Sequence, residues 1–307
     1  MADDDEAPGN GSVILLTGAT GGVGSQLLPM LLERGERVKC LVREPSRLGD
    51  ARVDVQIVMG DLRELSDPYM LRQALRGVDT VVHLAGSMRD QPGAPLEELN
   101  GLATARLVEG AESIGAGRFL FFSALGASPV QKTRFMRSKW TGEAAVAASS
   151  LETTVFRPSL VFDRSDPWIN LIERLSYIPV IPIAGSGEAE FQPVWSRDSA
   201  SAVIASLDQT ESPREVDLAG PETLTYAGMT ELLASLSGKP RPLVRVPMPL
   251  ARLGLEAIRT VGGPGVTATW QEAELMQVSM TSPTGVADLR ALGIEPTAMV
   301  QVLGPSS

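Results

Sequence analysis

The sequence of 307 residues predicts an α/β fold, a doubly wound parallel sheet with a smaller C-terminal α/β lobe. Three observations carry that expectation. Short apolar runs alternate with helical stretches through the first half of the chain, the rhythm of a parallel sheet covered on both faces. The first run is followed by a turn almost free of side chains, Gly18-Ala-Thr-Gly-Gly-Val-Gly24. Beyond Pro158 the alternation loosens into short segments broken by proline.

The first strand is expected over residues 13–17, where Val13 to Leu16 read as buried, and residues 22–34 read as a helix. Between them Gly18, Gly21 and Gly24 stand three apart. That spacing lets the backbone turn tightly, approach a pyrophosphate and pack the helix against the strand, while the helix N-terminus offers unpaired N–H groups to the anion. A second strand at 38–42 completes a strand–helix–strand unit, the context in which such a turn means nucleotide binding. Gly18, Thr20, Gly21, Gly22, Val23 and Gly24 are therefore the expected contacts on the phosphate side.

Strands at 55–59, 80–84, 118–122 and 153–157 alternate with helices at 68–76, 96–114 and 133–149. Asp67-Pro68 is an N-cap followed by proline at the first helical position, and Gly35, Gly77 and Gly115 sit where helices stop. Pro29 lies inside the first helix and is expected to bend it. A short helix at 168–175 follows, then an extended segment at 178–183 whose prolines suit an edge, a turn at Gly185–Gly187, a strand at 191–195 and a helix opened by Asp198. Residues 215–219 return to the sheet; helices at 225–237 and 250–261 end in a break at Gly262–Gly265. The expected division is a disordered acidic tail over 1–10, a nucleotide-binding domain over 11–160 and a smaller lobe over 161–307. The lobe sits over the C-terminal edge of the sheet, where open parallel sheets bind ligands.

Net charge is −10, with Asp3, Asp4, Asp5 and Glu6 in the tail, so the surface repels phosphate backbones and a nucleic-acid partner is not expected. No apolar run reaches the length of a membrane span, and the acidic start is the opposite of a signal peptide's basic one. The expected location is cytoplasmic, or peripheral at the inner face of a membrane. The single Cys40 has no intramolecular disulfide partner and reads as a core side chain. With one histidine, His83, and no ligand cluster, no metal is expected, and His83 reads as a packed or capping residue.

The second strand ends Cys40-Leu-Val-Arg43, about twenty residues past the glycines, where an NAD-binding chain carries an acid for the ribose 2′-hydroxyl. Here a cation stands instead. Arg43, with Arg47 one helical turn on, can fork a 2′-phosphate, so NADP(H) is expected in preference to NAD(H).

Five motifs in order, Thr17-Gly-Ala-Thr-Gly-Gly-Val-Gly24, Gly60-Asp61-Leu62, His83-Leu-Ala-Gly86, Phe122-Ser123-Ala124 and Arg157-Pro158-Ser159, resemble the extended and atypical short-chain dehydrogenase/reductases. The resemblance covers nearly the whole chain from Ser12 and implies a Rossmann-type sheet. Phe191-Gln-Pro-Val-Trp195, Arg197-Asp198 and Leu292-Gly-Ile-Glu-Pro296 are similar to the nucleotide-binding accessory subunit of respiratory complex I and its bacterial relatives, a branch related to the NmrA-like NADP sensors. The resemblance implies that Asp61 accepts from the adenine amino group and Leu62 covers the ring. It implies that Leu84, Ala85 and Gly86 pass beneath the adenine ribose and pyrophosphate, that Arg157-Pro158-Ser159 line the nicotinamide side, and that Asn100 is structural.

In the resembled superfamily a Ser, a Tyr and a Lys lie twelve and then four residues apart; here those positions read Ser123, Phe135 and Lys139. Phe135 has no proton to give a carbonyl. Ser123 and Lys139 are the catalytic positions that remain. The resemblance also lets them serve the cofactor, Lys139 at the nicotinamide ribose and Ser123 at the floor of the site. Two functions follow. One is a redox-silent or weakly active NADP(H)-binding sensor or accessory subunit whose second lobe docks a protein partner such as a membrane enzyme complex. The other is an NADPH-dependent reductase of a quinone, small carbonyl or enone with Lys139 in place of the tyrosine. A sugar-nucleotide epimerase ranks last, because it relies on the same tyrosine.

Overall fold

A computed structural model describes residues 12–211, 213–262 and 269–304. The apolar run at its start forms β1 (Val13–Thr17), buried along its whole length because strands flank it on both edges and helices cover both faces. The glycine turn leads into α1 (Gly22–Glu33), which runs unbroken through Pro29. The alternation continues with β2 (Arg37–Val42), β3 (Gln56–Met59), α2 (Pro68–Leu75), β4 (Thr80–His83), α3 (Ala103–Ser113), β5 (Arg118–Phe122), α4 (Arg134–Ala148) and β6 (Glu152–Pro158). Side chains open two of these helices: Asp67 accepts from the Tyr69 N–H at 2.9 Å, and Thr133 from the Met136 N–H at 3.4 Å.

Past β6 come β7 (Val161–Phe162), α5 (Pro167–Leu175), β8 (Ile181–Ala184), β9 (Glu190–Phe191), β10 (Val194–Trp195), α6 (Ser196–Asp208) and β11 (Glu215–Leu218). The described chain closes with β12 (Leu224–Thr225), α7 (Tyr226–Leu236), β13 (Leu243–Val246), α8 (Met248–Gly262), α9 (Trp270–Leu275), α10 (Ala287–Ala291) and α11 (Met299–Leu303).

Seven strands form one parallel sheet in the order β11-β6-β5-β4-β1-β2-β3. Alternate residues of β1 serve opposite faces, as the pleat requires. Ile14 and Leu16 pack with Leu27 and Leu31 of α1 and Val203 of α6; Val13 and Leu15 pack with Leu75 of α2 and Leu107 of α3. A third core holds the smaller lobe together, built on Ile172, Ile181, Phe191, Met229 and Leu275. Cys40 is fully buried, and desolvation pushes its thiol up to about 12.

Three local expectations are corrected. The helix expected over 96–114 is split: Glu97–Leu102 is a π turn and only Ala103–Ser113 is α-helical. The wide turn holds the buried Asn100, whose amide donates to the Ser87 carbonyl at 2.8 Å and the Ser138 hydroxyl at 3.0 Å while its oxygen accepts from the Ser87 N–H. The strand expected over 191–195 is two strands, because the chain changes partners at Pro193. β9 runs antiparallel to β12, β10 runs parallel to β7, and proline supplies no N–H for a continuous ladder. The helix expected to open at Asp198 begins at Ser196, and the Asp198 carboxylate accepts instead from the Thr297 N–H at 2.7 Å. The acidic tail at 1–10 lies outside the described residues, as do residues 263–265 of the expected glycine break.

Candidate functional site

The strand order reverses where β1 lies between β4 and β2, and a cleft opens there beyond the carboxyl ends of the strands. Gly18 makes the cleft possible. Its φ of +78° is left-handed, and a Cβ on it would stand 2.7 Å from the Ala85 nitrogen and 2.9 Å from the Leu84 carbonyl carbon. Gly24 is equally constrained, since a Cβ there would lie 2.1 Å from the Gly18 oxygen. The backbones leaving β1 and β4 are thus in direct contact, and α1 starts on the turn itself. Gly21 caps α1 without a side chain, so the first N–H groups of a twelve-residue helix face the cleft uncovered.

The cleft has two halves that share Gly18, Gly21, Leu84, Gly86 and Ser87. The larger, about 560 Å³, brings together Thr20, Arg43, Arg47, Asp61, Leu62 and Ala85. Arg43 and Arg47 are exposed, and among the described residues neither guanidinium is paired with a carboxylate. Asp61 is already engaged: Arg63 donates to its Oδ2 through Nε at 2.9 Å and Nη2 at 2.6 Å, and to its Oδ1 through the backbone N–H at 2.8 Å. Burial pushes this carboxyl up, but the Arg63 hydrogen bonds together outweigh it and hold Asp61 below its ordinary value. Arg63 also reaches the Pro92 carbonyl at 3.0 Å and so joins the two loops that bound this half.

The smaller half, about 320 Å³, is lined by Gly22, Val23, Gly24, Ser123, Phe135 and Lys139 on the sheet side. The Ser123 hydroxyl is buried and, among the described residues, has no hydrogen-bond partner. Lys139 is 5% exposed; its ammonium donates to the Phe122 carbonyl at 2.8 Å and lies 5.2 Å from the centre of the Phe121 ring. Gly86 leaves the room for it, because a Cβ there would sit 2.9 Å from Nζ. Burial brings the Lys139 ammonium down to about 8.

Pro158 and Ser159, expected on the nicotinamide side, are not among the residues lining this half. The Pro158 carbonyl accepts from the Leu125 N–H, while the Ser159 hydroxyl donates to the Met280 carbonyl at 2.6 Å and accepts from the Gln192 N–H at 2.9 Å. Val161, Phe162, Asp163 and Asp166 take that wall instead. Asp166 caps α5 through the Trp168 N–H at 2.7 Å, and burial raises its carboxyl. The pair Asp166-Pro167 repeats the cap signal of Asp67-Pro68 and could have been found in the sequence; Asp163 carried no signal of its own. His83 is fully buried between the Thr17 and Thr104 hydroxyls, 2.7 and 3.0 Å away, and burial, then Lys139, push it down to about 3. It is a packed, neutral imidazole.

The sequence model of a family described as NAD(P)H-binding matches residues 18–174, which carry the glycine turn, α1 and the elements up to α5, and every residue lining the cleft except Thr17 and Ser196. The chain belongs to the NAD(P)H-binding family. Its relatives include NADH dehydrogenase [ubiquinone] 1 alpha subcomplex subunit 9 of Arabidopsis thaliana, 28% identical over 79% of this chain, and that of Mus musculus, 23% identical over 94%. The chain spans 62% of the Arabidopsis protein and 78% of the mouse protein. An NAD(P)H azoreductase of Xenophilus azovorans is 26% identical over 78% of this chain and 79% of its own length. The fold matches a solved epimerase of Methanothermobacter thermautotrophicus with a TM-score of 0.73 at 19% identity, over 95% of this chain and 90% of that one. These relatives agree with a Rossmann-type short-chain dehydrogenase/reductase fold that binds a nicotinamide dinucleotide. Among the described residues of this family member no helix is long and apolar enough to cross a membrane.

Proposed function

We propose that the protein binds NADP(H) in this cleft and is redox-silent or weakly active, serving as a nucleotide-dependent sensor or an accessory subunit of an enzyme complex. The observation that carries this reading is Phe135, which lines the same half of the cleft as Ser123 and Lys139 and stands where the resembled enzymes carry their proton-donating tyrosine. The dinucleotide's pyrophosphate lies on the glycine turn and the α1 N-terminus. Its 2′-phosphate meets Arg43 and Arg47, which have no competing carboxylate among the described residues, and its adenine amino group meets Asp61. Lys139 has two N–H donors beyond the one given to Phe122, and these turn to the nicotinamide ribose.

A second reading has its own support. The buried Ser123 hydroxyl has no partner among the described residues, and Lys139 at about 8 can give up a proton near neutral pH, so this pair could serve a reductase of quinones, carbonyls or enones. Relatives named as an NADH dehydrogenase [ubiquinone] subunit and as an NAD(P)H azoreductase are compatible with either reading. Stopped-flow absorbance of NADPH with a panel of quinones and carbonyls separates them: slow or absent oxidation supports the first, ordinary turnover the second.

A further inference from the structure

On the smaller lobe, away from the cleft, apolar side chains stand in water. Tyr177 is 74% exposed, Leu253 66% and Leu250 61%, with Ile178, Val180 and Val244 also exposed. They lie on, just before or just after the paired strands β8 and β13. β8 and β13 pair in register with Pro182 beside Val244; Ile181 and Ile183 face the lobe core while Pro182 and Val244 face out. α8 begins two residues after β13. Its Leu250 and Leu253 are exposed at helical spacing, while Met248, Ala251 and Leu255 on the other side are half-buried.

The charge around these side chains opposes that of the whole chain. The chain is ten charges negative, yet residues 239–257 carry Lys239, Arg241, Arg245 and Arg252 against the single carboxylate of Glu256. Two of the cations lie over aromatic rings, and one of these, Arg252, is also paired with Glu256 at 3.4 Å. The Lys239 ammonium is 3.2 Å from the centre of the Tyr177 ring, the Arg252 guanidinium is 4.1 Å from that of Trp270, and Arg241 Nε donates to the Ser176 carbonyl. Exposed leucines on a helix, flanked by long cationic side chains and an aromatic ring, match the composition of segments that lie in the plane of a bilayer interface. A soluble polyanion would satisfy the cations and leave the leucines in water. A bilayer carrying anionic headgroups satisfies both.

We propose that the face formed by α8, the β8–β13 edge and Tyr177 rests on the headgroup layer of a membrane containing anionic phospholipid. This surface is independent of the dinucleotide reading. The test is flotation of the full chain with vesicles of phosphatidylcholine alone or with added phosphatidylglycerol. The expected result is at least about tenfold stronger partitioning onto the anionic vesicles, weakened by added salt. Leu250→Ser with Leu253→Ser should lower that partitioning about tenfold with the melting temperature held. Arg245→Glu, a single exposed substitution, should lower it about fivefold or more and serves if the double variant fails to fold. Equal partitioning onto the two vesicle types, no partitioning, or a leucine variant that floats like the wild type overturns the proposal. Binding to polyglutamate that matches vesicle binding and ignores the leucine changes overturns it in favour of an acidic protein partner.

Discussion

The ammonium of Lys139 is fixed 2.8 Å from the carbonyl oxygen of Phe122, in a buried site where desolvation outweighs the attraction of the Glu143 carboxylate. Such an amine is easier to deprotonate folded than unfolded, because desolvation penalises only the charged form. Its protonation falls near pH 8 in the folded chain and near 10.5 in the unfolded one. Between those values the unfolded chain binds the extra proton, so this group makes stability rise with pH across the window, by about 1.4 kcal/mol per unit. Below pH 8 both states are protonated and the cost is present in full. Urea unfolding of the wild type and Lys139→Met without nucleotide should therefore diverge in the wild type's favour from about pH 8 toward 10.5. Parallel curves would show an ammonium that is not desolvated.

His83 gives a slope in a different range. Folded, it protonates near pH 3; unfolded, near 6.5. The unfolded chain binds the extra proton between those values, so stability is complete above 6.5 and is lost as pH falls toward 3, again at about 1.4 kcal/mol per unit. His83→Asn should flatten that part of the acid unfolding profile, although losing the Thr17 and Thr104 contacts lowers stability at neutral pH. An unchanged acid slope counts against the buried neutral ring.

Cofactor choice rests on Arg43 and Arg47. A hydrogen bond to a charged group contributes roughly 1.5–3 kcal/mol, so calorimetry should find NADPH at least about tenfold tighter than NADH. Arg43→Glu should remove that preference while leaving NADH affinity nearly unchanged. Equal affinities in the wild type, or equal losses for both nucleotides in the variant, would sink the assignment.

Turnover is the sharpest test of the missing phenol. A positioned acid accelerates proton transfer by about 10² to 10⁴, so the wild type should oxidise NADPH far below 1 s⁻¹ with any quinone or carbonyl. A rate on the order of 1 s⁻¹ or faster transfers the role to Lys139, and Lys139→Met should then abolish it with the fold intact.

Much of the fold was legible because it is written locally. Most strands of the sheet announce themselves as short apolar runs, the cap at Asp67 lies at a helix start, and residues 215–218, within the expected 215–219, return beside β6 with Val216 and Leu218 buried. Gly18 was legible for a physical reason too: only a glycine lets the backbones leaving β1 and β4 touch. What escaped was set by tertiary partners. Nothing in Phe191-Gln-Pro-Val-Trp195 says that its two ends pair with different strands. Nothing around Ser159 says that its hydroxyl is claimed by a carbonyl 121 residues later. Lys139 was found by spacing, but its burial depends on the space left at Gly86.

Ser159 bears on how the molecule can move. Its one hydroxyl joins the end of β6 to the Met280 carbonyl and the Gln192 amide, and Asp163 adds a second fastening by accepting from Ser196 and, at 3.4 Å, from Gln26 of α1. The lobe is riveted to the sheet on the rim of the cleft rather than hinged there. Swinging it open would strand buried donors and acceptors at a cost of about 1–3 kcal/mol each. Filling the cleft therefore lengthens the lifetime of one shape instead of selecting between two, and a neighbouring protein would read the nucleotide as rigidity rather than as displacement.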